Sequence, residues 1–67
     1  MIDAKDFVLS ADNDTVFNLK IDGKFRYCKD WHRALKVIND HEREWHCDLK
    51  VFHWICTGHN TIVAILL

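Results

Sequence analysis

Leu49-Lys50-Val51-Phe52-His53-Trp54-Ile55-Cys56-Thr57-Gly58-His59-Asn60-Thr61-Ile62-Val63-Ala64-Ile65-Leu66-Leu67 is the stretch on which the fold turns. Thr57–Asn60 is turn chemistry between two apolar runs, so the stretch reads as a hairpin of Asp48–Cys56 and Thr61–Leu67. Closing the turn sets Cys56 opposite Thr61, Trp54 opposite Val63 and Phe52 opposite Ile65. Leu49, Val51, His53, Ile55, Ile62, Ala64 and Leu66 then share the other face. A half-buried strand pair needs one apolar face, and this pair has two. A single helix covers only one of them, so the second is expected to meet another chain.

Upstream, the apolar period changes to helical at Trp31. Trp31, Ala34, Leu35, Ile38 and Trp45 form a stripe bordered by His41 and Glu42, and Arg33, Lys36, Asn39, Asp40 and Arg43 oppose it. Asp30 is a suitable N-cap, which predicts a helix over Trp31–Trp45 with both tryptophans in the core. Thr15–Lys20 alternates, with Phe17 and Leu19 on one side. A three-residue loop Ile21-Asp22-Gly23 would pair Leu19 with Phe25 and Phe17 with Tyr27. A two-residue Asp22-Gly23 loop would set Leu19 opposite Arg26, and the hydrophobic pattern favours the first. Asn18, Lys20, Lys24 and Arg26 then make a wet face. Lys5–Ser10 alternates weakly as a short strand, and Ala11–Asp14 is a turn. The expected fold is α+β: one domain over 1–67, strands and helix in the order βββαββ, and an antiparallel sheet with one amphipathic helix packed across one face.

Composition sets bounds. Sixty-seven residues with 49% hydrophobic and 28% charged residues suit one small globular domain. Such a domain buries only ~60% of its unfolded surface, so oligomerisation, disulfides or a metal commonly add stability. Net charge is −1, which draws no phosphate backbone to the chain as a whole. The acidic, polar start lacks the cationic and apolar regions of a secretory signal. The run Ile62–Leu67 is far short of a membrane span of ~20 residues. Three cysteines without an export signal read as reduced thiols, so the expected location is cytoplasmic, with no membrane partner.

Each candidate chemistry rests on particular residues. Cys28 and His32 flank a strand end and a helix start, and Cys56 and His59 frame the last turn. Together they are the alternative zinc set, although the close cysteine pairs of zinc sites are missing. Otherwise no metal or cofactor is expected. His41 and His46 are five apart, ~140° round a helix, and so miss the metalloprotease geometry. Ser10 is the sole serine, and Cys47 beside His46 is a strand-start cysteine. With little volume for a pocket, no enzymatic activity is expected. Lys20, Lys24 and Arg26 are the alternative nucleic-acid face, opposed by neighbouring aspartates; nucleic acid is the less favoured partner.

The favoured function is non-enzymatic protein binding through an apolar surface. Its anchors are Phe52, Trp54, Val63, Ile65 and Leu67, aromatic and aliphatic groups of the kind that dominate interfaces. The expected partner is a second copy in a symmetric homodimer, or a heteromeric docking surface. The segment Lys29–Leu35 behind a hairpin is similar to parts of many small bacterial and phage reading frames. It names no family; the expected role, a small regulatory or inhibitory accessory protein of phage or mobile-element type, follows from the apolar docking surface and the short chain.

Overall fold

Ala4, Phe7, Val8 and Ala11 recur at the i, i+3, i+4, i+7 spacing of a helix. In the computed structural model, which describes residues 1–67, β1 (Ile2–Asp3) is followed by helix α1 (Ala4–Ser10). The strand expected over Lys5–Ser10 is therefore a helix, and Ala4, Phe7 and Val8 are its buried face. The alternation of Phe7 and Leu9 suggests a strand, but Leu9 is exposed. Val16–Ile21 forms β2 and Lys24–Cys28 forms β3.

Their connection is the two-residue Asp22-Gly23 loop. Both residues have positive φ, 52° and 78°, the paired left-handed conformation that a tight hairpin of matching twist requires. Ile21 thus pairs with Lys24, Leu19 with Arg26 and Phe17 with Cys28. This overturns the three-residue register. A loop that included Ile21 would lift it out of the core, where it is buried. The result is that Phe25 and Tyr27 lie on the face away from Phe17 and Leu19.

Helix α2 spans Trp31–Trp45 as expected, and the Asp30 carboxylate accepts from the Arg33 N–H at 2.9 Å. Ala34, Val37 and Ile38 are buried, and Trp31 and Leu35 pack against them. Trp45 departs from the expectation of a core residue and is 62% exposed. In the last turn the group turned inward is Glu42, whose side chain is only 10% exposed. Its Oε2 accepts from the Leu49 N–H at 2.7 Å, and its Oε1 lies 3.2 Å from Lys5 Nζ. One carboxylate thus ties α1, α2 and the start of the next strand together. Glu42→Ala would leave the amide of buried Leu49 without a partner, and a lost bond of that kind costs about 1–3 kcal/mol. A urea titration of the variant is expected to show that loss, and an unchanged midpoint would contradict it.

Lys50–Gly58 forms β4 and Thr61–Leu66 forms β5. The strand order is β1-β4-β5-β2-β3, with β2 and β5 parallel and every other pair antiparallel. The sheet is α+β as expected but mixed, and the order βββαββ gives way to βαββαββ with two helices. The parallel pair follows from α2. It carries the chain from the β3 edge back over the sheet, so the last hairpin re-enters with β5 beside β2, the other strongly apolar strand. Being paired on both sides, β5 has no free edge for a mate.

Irregular pairing between Val51 and His53 and between Cys56 and Gly58 shifts β4 relative to the simple hairpin. Trp54 now faces Ala64 and Cys56 faces Ile62. A shift of one residue moves a side chain to the other face. Trp54 therefore sits on the helix side, its ring 5.3 Å from that of Phe7. At the β1 edge, the Lys50 ammonium hydrogen-bonds the Asp3 carboxylate, which holds that carboxyl below its ordinary pKa and raises that of the lysine.

The core joins Ala4, Phe7, Val8, Ala34, Val37 and Ile38 of the helices to Phe17, Leu19, Ile21, Cys28, Val51, Ala64 and Leu66 of the sheet, with Leu49. All seven sheet residues belong to one face. The opposite face contributes nothing to the core.

Candidate functional site

The uncovered face follows directly from the pairing. Ile55, Val63, Asn18 and Tyr27 make one row across four strands, and His53, Ile65, Lys20 and Phe25 make the next. Asn18 and Lys20 of β2 form a polar seam down the middle. On the β4–β5 side the face is aliphatic: Ile55 is 50% exposed, Val63 and Ile65 are half-buried, and His53 is the one ionisable group on that side of the two rows. The irregularity after Val51 adds Phe52 to this side, 61% exposed. On the β3 side the face is aromatic, with Phe25 and Tyr27 both exposed and Lys20 Nζ 5.5 Å from the Phe25 ring centroid.

Of the five anchors expected from the sequence, Phe52, Val63 and Ile65 therefore lie on the uncovered face. Leu67, exposed, follows the end of β5 and hydrogen-bonds Lys50 through both backbone groups. Trp54 is separated from them and packs on Phe7. Ile55, Phe25 and Tyr27 belong to the face and are not among the expected anchors. With the Asp22-Gly23 loop taken as two residues, strand alternation alone places the two aromatics on the face away from Leu19.

The other candidate sets disperse. Lys20 is on the uncovered face, whereas Lys24 and Arg26 alternate to the helix side of β3, so the three do not form one basic face. Cys56, Ile62, Phe17 and Cys28 lie in one row across the sheet. The two cysteines are thus three strand spacings apart, about 14 Å. That separates the pair Cys28 and His32 from the pair Cys56 and His59, and no three His, Cys, Asp or Glu side chains gather in a geometry to hold a metal ion. Cys28 is buried, and burial pushes its thiol pKa up against the pull of Arg26 and Arg33. Cys47 and Cys56 are exposed.

No helix is long and apolar enough to cross a membrane. No protein-family model matches the chain, and no curated protein or solved structure matches it significantly.

Proposed function

We propose that the protein is a non-enzymatic interaction module that docks onto a second copy of itself through the aliphatic half of its uncovered sheet face. The observation that carries this reading is the exposure of Phe52 and Ile55 beside Val63 and Ile65 on a sheet whose helices all lie on the other side. Monomers seldom carry contiguous apolar patches beyond several hundred Å2 unless the patch is used.

The charge pattern favours a second copy as the occupant. The aliphatic half holds no Lys, Arg, Asp or Glu among its facing residues, so a two-fold axis can set it against itself without opposing like charges. Two sheets meeting in this way pack about 10 Å apart and interdigitate their side chains. Isotope-filtered NMR on a mixture of labelled and unlabelled protein tests the arrangement. Contacts between chains are expected from the methyl groups of Ile55, Val63 and Ile65 and the ring of Phe52. Contacts arising instead from Trp45 or Leu9 would place the interface on the helix side and overturn the reading.

A further inference from the structure

Charge is strongly segregated along this chain. Six of the nine Lys and Arg residues lie within 20–36, with only Asp22 and Asp30 among them. That segment carries +4, so the remainder carries −5 to give the net −1. Asp30 caps α2, whereas Asp22 sits in the hairpin turn with its side chain 77% exposed. Lys36 is paired with Asp40. Lys5 and Lys50 are paired with carboxylates elsewhere, whereas Lys20, Lys24, Arg26, Lys29 and Arg33 form no ion pair. Arg43 is the one other unpaired cation, so five of the six free cations come from this segment and border one rim of the fold.

The rim is built on an edge strand that alternates cation and aromatic: Lys24, Phe25, Arg26, Tyr27, then Cys28 and Lys29. Alternation turns Phe25 and Tyr27 to the uncovered face, 60% and 66% exposed, about 7 Å apart along the strand. Because β3 is the outermost strand, cations from its other side border the same rim. A groove of about 320 Å3 is lined by Arg26, Tyr27, Lys29, Arg33 and Val37, with no carboxylate among them.

We propose that this rim binds single-stranded nucleic acid. Phe25 and Tyr27 stack on two successive bases while the five free cations neutralise the phosphates. An acidic peptide would use the cations and leave two large rings in water. Unpaired bases use both, since every base has a face to stack and every linkage a charge. A duplex hides its base faces and is expected to bind weakly. The site uses β2, β3 and the start of α2, so it stands whether or not the aliphatic half self-associates.

Fluorescence anisotropy with labelled oligodeoxythymidine and oligouridine tests it, with a duplex and polyglutamate as comparisons. Both single strands are expected to bind. Phe25→Ala and Tyr27→Ala should each weaken binding roughly tenfold, since each removes the stacking of one base, and Tyr27→Phe should retain it. Replacing Lys24 and Arg26 with alanine should flatten the slope of log affinity against log salt by about 1.4, near 0.7 for each phosphate of a single strand left without its cation. Circular dichroism confirms that each variant is folded. The proposal is overturned if neither strand binds at low salt or if folded ring variants bind as wild type does. Equal competition by polyglutamate would overturn it too, assigning the rim to acidic peptides.

Discussion

Phe17→Ala is expected to lower the melting temperature by at least about 12 °C. Phe17 is fully buried on β2, between Cys28 of β3 and Ile62 of β5, and its ring meets that of Phe7 edge-on at 6.5 Å between centroids. With Trp54 of β4, it packs the sheet against Phe7 of α1. Truncating a buried phenylalanine removes its transfer free energy and leaves a cavity, together about 3–5 kcal/mol. A 67-residue domain has roughly 3–10 kcal/mol in all. In a domain of this size each kcal/mol moves the midpoint by about 4–8 °C. Thermal unfolding followed by circular dichroism gives the shift. Phe25→Ala, on the exposed rim, is the comparison and should stay within about 0.5 kcal/mol of wild type. A drop under about 5 °C for Phe17→Ala would mean that the core is not centred on β2.

If the proposed dimer forms, Ile65→Asp is expected to separate its chains while leaving each one folded. Ile65 lies in the second row of the uncovered face, between His53 and Lys20, and is half-buried within one chain. In the proposed dimer its side chain is enclosed by the partner. An aspartate there would be withdrawn from water against the apolar groups of the partner. Breaking an interface in this way costs several kcal/mol, or at least about a hundredfold in affinity. Within the isolated chain the same carboxylate reaches solvent beside Lys20. The cost there is the lower preference of aspartate for a strand, about 1 kcal/mol. Assembly and folding therefore respond very differently to one substitution. A variant that remains dimeric and folded would show that the aliphatic half does not form the seam.

Helix α2 is legible residue by residue, since a 3.6-residue stripe behind an Asp30 cap has few competing readings. Helix α1 is not. Its signal rests on Ala4 and Ala11, small residues that contribute little to a hydrophobic pattern, while Phe7 and Leu9 mimic a strand. The first hairpin misleads for a related reason. The three-residue register places Phe25 and Tyr27 beside Leu19, on the premise that large apolar groups seek the core. On an edge strand they lie instead on the exposed face, and the Asp22-Gly23 pair is the better guide. That the last hairpin has more apolar surface than the helices cover is readable from Leu49–Leu67. Which side stays open is not, because the irregularities in β4 leave no mark in the sequence. Trp54 changes sides with them, to meet Phe7 on a helix whose sequence mimics a strand. The cationic rim needs the tertiary structure too, for Arg26 and Lys29 precede α2 and Arg33 lies within it, and only folding sets all three round Tyr27.

Sedimentation equilibrium of wild type and Ile65→Asp, over concentrations from about 1 μM to 1 mM, bears most directly on the role of the uncovered face, interfaces of modest area being of micromolar strength or weaker. Wild type should move from the 8.0 kDa of one chain towards twice that mass as concentration rises, while Ile65→Asp stays at 8.0 kDa throughout. Wild type holding at 8.0 kDa across the whole range would contradict the account.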